Sequence, residues 1–122
     1  MYSIAKTVGL AAVVMLALDG IYLSAIRNMF ELQIASVQRV SIQFRILGAI
    51  ICYVLLIGGL YYFILRTRRP IMDAFLFGIV IYGVYESTNY ALLKNWKWET
   101  MAIDTLWGGI LMSLTTYAVY NI

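Results

Sequence analysis

The sequence predicts an all-α fold, a bundle of four transmembrane helices that forms one integral membrane domain over residues 1–122. Its composition is 63% hydrophobic and 12% charged, whereas a soluble domain is about half apolar and about a quarter charged. The apolar residues also fall into four stretches, each close to the ~20 residues that cross a bilayer. The predicted spans are 4–26, 46–65, 71–93 and 101–120.

The first span begins like a signal peptide, because Lys6 precedes an apolar run. The run is long, contains Asp19 and has no convincing cleavage pattern of small residues. We therefore predict that it is a helix. Residues 27–45 form the only long connection, and their apolar positions fit a helical stripe only loosely. An interfacial helix or an ordered loop lying on the membrane is predicted there.

Two short turns join the other helices. Residues 66–70 form a cationic turn, and Pro70 suits the first position of the third helix because its missing N–H is not needed there. The second and third helices are thus predicted to form an antiparallel hairpin. Residues 94–99 join the third and fourth helices, and Trp96 and Trp98 suit the headgroup level of a bilayer.

Four spans place the N- and C-termini on the same side of the membrane, together with the turn 66–70. The segment 27–45 and the turn 94–99 lie on the other side, called side B below. Lys and Arg residues are nearly equally divided between the two sides, so the positive-inside rule gives little direction. The dense arginine turn favours cytoplasmic termini.

Several classes of function are excluded by composition. The chain has no histidine, which removes nucleophile systems with an imidazole base and His-ligated zinc. The single cysteine, Cys52, lies in an apolar run and is interpreted as a packing residue. The net charge of +3 is small and scattered, so no nucleic-acid partner is expected. No phosphate loop or dinucleotide fingerprint is present, and we expect no cofactor and assign no metal site.

Three carboxylates interrupt the apolar stretches: Asp19, Glu86 and Asp104. A carboxylate at a helix centre costs about 2.5–3.5 kcal/mol, so each should face the bundle interior and find a partner. Asp19 and Glu86 each lie about 12 Å along the helix from side B, and Asp104 lies about 7 Å from it. All three belong to the same half of the bilayer, which predicts one shared site.

Aromatic and amide side chains share helix faces with these acids at spacings of three or four residues. Deeply placed tyrosines are the expected donors, because a buried hydroxyl needs a partner; they are Tyr22, Tyr53, Tyr82, Tyr85 and Tyr117. The predicted polar cluster comprises Asp19, Tyr22, Tyr82, Glu86, Asn89, Asp104 and Trp107, beneath a cationic rim of Arg27, Arg45 and Lys94. The glycines of the helices are expected to permit close helix packing.

The motifs of the third and fourth helices resemble a family of bacterial membrane proteins, domain of unknown function 2177. The matching residues are Tyr82-Gly83-x-Tyr85-Glu86-x-Thr88-Asn89, Lys94-x-Trp96, Asp104-x-x-Trp107-Gly108 and, in the first helix, Leu18-Asp19-x-x-Tyr22. Glu86 departs from the pattern, in which an Asp is expected. The resemblance implies a four-helix membrane fold and supplies no activity.

Three functional hypotheses follow. In the first, the cluster binds or moves a proton, a cation or a lipid headgroup. In the second, it fixes helix register in a structural subunit of a larger assembly. In the third, its carboxyls act as acid and base in a lipid-modifying enzyme. The enzyme hypothesis has the least support, since the predicted cluster contains neither histidine nor cysteine. The expected partners are the lipid bilayer and a homo-oligomer or larger membrane assembly.

Overall fold

The structure, a computed structural model, describes residues 3–38 and 46–122. These residues form four helices and no strand, which confirms the predicted fold class. The helices are α1 (Ile4–Gln38), α2 (Ile46–Leu60), α3 (Ile71–Leu92) and α4 (Trp98–Asn121). A π-helical turn, Tyr61–Leu65, continues α2.

Three helical segments are long and apolar enough to cross a membrane: Ile4–Arg27, Ile46–Leu65 and Ile71–Leu92. Large apolar side chains such as Val13, Leu55 and Val80 are exposed on their outer surfaces, as expected of a surface that faces lipid tails. The predicted fourth span, 101–120, is helical within α4. At 24 residues α4 is long enough to cross, but it does not reach the apolarity of the other three.

Helix α1 is 35 residues long and extends well beyond the predicted end of the first span. The first part of the segment 27–45 is therefore helical, but as a continuation of α1 and not as a separate interfacial helix. No glycine or proline interrupts residues 27–38, so the chain has no strong reason to leave the helix there. Residues 39–45, which include Arg45, lie outside the described part of the chain.

Helix α4 lies between α1 and α3. The α3–α4 contact is the most extensive in the molecule, and α1 packs on α4 and on α2. The predicted hairpin of α2 and α3 is joined by a tight turn, but α3 packs chiefly on α4. Met15, Leu60, Leu111 and Met112 are fully buried and form the centre of the apolar core.

Close packing of α3 on α4 depends on two glycines. A Cβ atom built on Gly78 would overlap the backbone of Gly108, and one built on Gly108 would overlap the ring of Tyr82. The close approach predicted for the glycines is thus present at this crossing. It is absent at Gly58, where a Cβ would meet no atom within 4 Å.

The turn between the π-helical turn and α3 is held by its own backbone and by α4. Arg68 adopts a left-handed conformation with φ of 50°, and the Arg69 N–H donates to the Ile64 carbonyl at 2.9 Å. The Tyr120 hydroxyl donates to the Arg69 carbonyl at 2.7 Å. Pro70 directly precedes α3, one residue before its predicted place.

Candidate functional site

Asp19 joins three helices at its carboxylate. It lies on α1 and is buried, with 6% of its surface exposed. The indole N–H of Trp107, on α4, donates to Oδ1 at 2.9 Å. The hydroxyl of Tyr53, on α2, donates to Oδ2. Both oxygens of this buried acid therefore have a hydrogen-bond donor from another helix.

Asp104 on α4 is equally buried, and the hydroxyl of Tyr22 donates to its Oδ1 at 3.1 Å. The ring of Tyr22 stacks on Trp107, with 4.5 Å between ring centroids and 4° between ring planes. Since Trp107 also donates to Asp19, the stacked pair connects the two aspartates across the α1–α4 contact.

Glu86 on α3 is fully buried. The indole N–H of Trp96 donates to Oε1 at 2.8 Å, whereas Oε2 has no hydrogen-bond partner. The Glu86 side chain lies next to Asp104, close enough for the two carboxyls to interact. Two ionised carboxylates have no donor between them, so a hydrogen bond across this pair requires that one of them holds a proton.

The seven residues Asp19, Tyr22, Tyr53, Glu86, Trp96, Asp104 and Trp107 are called the acidic cluster below. Five of them belong to the predicted polar cluster. The other two predicted members lie beside it on α3: Tyr82 packs its ring on Gly108, and Asn89 is partly buried one turn beyond Glu86. No hydrogen bond joins either of these two to an acid among the described contacts.

Of the predicted cationic rim, Arg27 and Lys94 are exposed, and Arg45 lies in the part of the chain that is not described. Two tyrosine hydroxyls and two indole N–H groups, which are neutral donors, hydrogen-bond to the three acids.

Two members of the acidic cluster were not in the predicted one. Tyr53 carries a sequence signal, because it is one of the deeply placed tyrosines. The sequence predicts Trp96 and Trp98 alike at the headgroup level and does not distinguish them, but Trp96 is buried, with 6% of its surface exposed, whereas Trp98 is 61% exposed. The signal for Trp96 is its position in the Lys94-x-Trp96 motif, between the motifs that carry Glu86 and Asp104.

A metal-ion function would need several oxygen or sulfur ligands at one point. Among residues 3–38 and 46–122, no three Asp, Glu or Cys side chains come close enough to hold an ion. The cation alternative thus lacks a set of three carboxylate or thiolate ligands within this part of the chain.

The family model described as "Predicted membrane protein (DUF2177)" matches residues 4–121. The chain belongs to this family. The match includes all four helices and the whole acidic cluster, and it confirms the resemblance carried by the motifs. The family description names a membrane protein and no activity. No match was found among curated proteins or solved structures.

Proposed function

We propose that this membrane protein binds a proton within the bilayer, at the carboxyl pair of Glu86 and Asp104. The observation that carries the proposal is Glu86 Oε2, a buried oxygen without a donor, on a side chain that faces Asp104. A proton shared by the two carboxyls would satisfy this oxygen. Leaving it unsatisfied would cost about 1–3 kcal/mol or more.

Electrostatic repulsion between the two carboxyls also favours one bound proton. Two carboxylates that share a site repel each other, so such a pair usually keeps one proton. Tyr22 donates to Asp104 and Trp96 donates to Glu86, and both of these donors are neutral. Asp19 differs from the pair, because both of its oxygens already accept a hydrogen bond and no further proton is needed to satisfy them.

The proposal includes the topology of the chain. Helix α4 packs on α3 and α1, which both contain apolar spans, so α4 would cross the bilayer beside them. Its polar residues would then be sheltered by these helices. Four crossings place the N- and C-termini on one side, and the arginine turn favours the cytoplasm for that side.

Infrared spectroscopy of the protein in lipid bilayers tests the proton directly. A protonated carboxylic acid has a C=O stretching band separate from the bands of a carboxylate. We expect the wild-type protein to show this band at neutral pH and Glu86→Gln to lose it. Asp73→Asn, in the first turn of α3, should leave the band unchanged. A wild-type spectrum without the band would contradict the proposal.

Proton movement is a separate question, which proteoliposomes can answer. A potassium diffusion potential would drive protons inward, and an enclosed pH-sensitive dye would report them. If the site also conducts protons, the flux should fall to background in Glu86→Gln and Asp104→Asn. Flux that is unaffected by both substitutions would contradict a transport role.

A structural subunit is the second candidate, because hydrogen bonds of the acidic cluster connect different helices. Under this alternative, replacing the acids lowers thermal stability in detergent together with assembly. Under the proton proposal, Glu86→Gln keeps stability, since a glutamine amide reproduces the shape and the donor of a protonated glutamate. The lipid-modifying enzyme stays a hypothesis without an observation of its own.

A further inference from the structure

A groove of about 650 Å³ lies on the membrane-facing surface, between the π-helical turn and the first half of α3. It is separate from the acidic cluster: none of its lining residues belongs to the cluster, and Val80, the last of them on α3, lies about 9 Å before Glu86 along the helix. The walls of the groove are apolar and come from Phe63, Leu76, Phe77 and Val80. Its mouth is lined by Arg66, Arg69 and Asp73.

The depth of the groove matches one leaflet of a bilayer. Val80 lies nine residues beyond Ile71, which corresponds to about 13 Å along α3. Half of the ~30 Å hydrocarbon core is about 15 Å. The apolar walls therefore extend from the end of the span to near the bilayer centre. The arginines follow Leu65, the last residue of the preceding span, and so lie at the headgroup level.

Charge at the mouth favours an anion. The Arg69 guanidinium forms an ion pair with Asp73 at 2.6 Å, which offsets one positive charge. Arg66 lies over the ring of Tyr62, 4.3 Å from its centroid, and its Nε donates to the Tyr62 carbonyl at 3.3 Å. These two contacts hold the Arg66 side chain beside the groove and leave its charge without a carboxylate among the described contacts.

The mouth is also built on a fixed backbone. The Arg66 N–H donates to the Tyr61 carbonyl at 2.8 Å, five residues back, which gives the π-helical turn. Such turns are frequent at functional sites. The Tyr120 hydroxyl, from α4, contacts the Ile64 carbonyl as well as that of Arg69. These hydrogen bonds therefore fix the backbone positions of Arg66 and Arg69 without a ligand.

We propose that this groove binds one anionic phospholipid. The phosphate accepts hydrogen bonds from Arg66, with Arg69 beside it, and one acyl chain lies along Phe63, Leu76 and Phe77. The volume is within the range of small-molecule sites, about 300–1,000 Å³. Arginine suits phosphate because its planar fork of donors can make two parallel hydrogen bonds. The proposal does not depend on proton binding at Glu86.

Native mass spectrometry of the intact protein in detergent tests the proposal, with dioleoylphosphatidylglycerol and dioleoylphosphatidylcholine as the two probes. We expect one phosphatidylglycerol to bind about tenfold more tightly than phosphatidylcholine. Arg66→Gln should weaken phosphatidylglycerol binding at least about tenfold, which corresponds to about 1.4 kcal/mol, because a charge-assisted hydrogen bond to the phosphate is lost. Asp73→Asn should strengthen it, because it removes a carboxylate beside the phosphate.

Arg68→Gln is the matched control for charge. Arg68 lies in the same turn, but its guanidinium is over the Tyr120 ring at 4.4 Å and does not line the groove. Its substitution should change phosphatidylglycerol binding by less than about threefold, because Arg68 would contribute only general attraction to the anionic headgroup. Equal losses for Arg66→Gln and Arg68→Gln would overturn the proposal in favour of general surface attraction.

Leu76→Trp tests the apolar part of the groove. Leu76 is 52% exposed, so a larger side chain fills the groove without disturbing the core, and it should reduce phosphatidylglycerol binding by at least fivefold. Leu114→Trp, on an exposed position of α4, should have no effect. Inorganic phosphate should not compete with the lipid. Binding that survives Leu76→Trp, or competition by phosphate, would overturn a site that holds the acyl chain.

Discussion

At the scale of the residue, Trp96 and Trp98 lie two positions apart near the start of α4 but have different surroundings. Trp96 points inward and donates to Glu86, whereas Trp98 is exposed at the start of α4. Both are large amphipathic rings near a span end. Only the path of the turn between the helices distinguishes the buried hydrogen-bond donor from the exposed ring.

Trp96→Phe is expected to lower the free energy of unfolding by about 1–3 kcal/mol, because Glu86 Oε1 loses its donor in a buried site. Trp98→Phe is the control and should stay within about 0.5 kcal/mol of wild type. Thermal or denaturant unfolding in a mild detergent measures both. Equal effects of the two substitutions would contradict a specific role for the Trp96 indole.

Tyr22 has two roles that substitutions can separate. Tyr22→Phe keeps the stacking on Trp107 but removes the donor to Asp104, and we expect a loss of about 1–3 kcal/mol in stability. Tyr22→Leu removes the stacking as well, which should cost about 0.5–1.5 kcal/mol more. Tyr117→Phe, at an exposed position of α4, should change stability little. The same unfolding measurement applies, and a neutral Tyr22→Phe would show that the Asp104 contact is weak.

At the scale of the element, the distance between α3 and α4 determines whether the acids can meet. Glu86 and Asp104 lie on these two helices, and the helices approach closely where Gly78 crosses Gly108. The absence of side chains at the crossing lets the backbones touch. The geometry of the carboxyl pair therefore depends on two residues that carry no functional group.

Gly78→Ala is expected to destabilise the protein by more than about 2 kcal/mol, because its Cβ would overlap the Gly108 backbone and force the helices apart. Gly58→Ala is the matched control, since its Cβ would meet open space within the helix. Alanine is the better helix former by about 1 kcal/mol, so Gly58→Ala should be neutral or stabilising. Equal free energies of unfolding for Gly78→Ala and Gly58→Ala would show that the α3–α4 crossing can accommodate a Cβ atom, which would contradict the close approach.

At the scale of the whole molecule, α4 has more buried residues than any other helix among the residues whose burial is described, yet it does not reach the apolarity of the three candidate spans. Nine residues of α4 are buried, and they include Asp104, Thr115 and Thr116. A helix at the centre of a membrane bundle contacts other helices more than lipid, so it can carry polar and small residues that lipid-facing helices avoid. Under the proposed topology, this position accounts for the composition of α4.

Labelling of introduced cysteines tests whether α4 crosses. In a Cys52→Ser background, Ser3→Cys and Ile122→Cys should react with a membrane-impermeant maleimide from the same side of sealed vesicles. Lys94→Cys should react from the opposite side. Reaction of the two terminal positions from opposite sides would mean that α4 does not cross, and circular dichroism would verify that each variant is helical.

The sequence by itself determined the helical class, the three clearly apolar spans and the three acids within the apolar stretches. These features are local: span length follows bilayer thickness, and an isolated carboxylate in an apolar run is visible without any neighbour. The motifs around Glu86 and Asp104 also determined the family. The sequence does not locate the end of α1, because no glycine or proline marks a stop between the predicted span end and Gln38.

Only the tertiary structure decided which groups satisfy the acids. The helix faces predict that Tyr22 lies near Asp19 and Trp107 near Asp104, the acids of their own helices. They do not predict the observed exchange, in which Trp107 donates to Asp19 and Tyr22 donates to Asp104. Trp96 and the groove beside Arg66 likewise depend on how a turn folds back and how helices rotate against each other. Such contacts join residues far apart in the chain, and local periodicity carries no information about the rotation that brings them together.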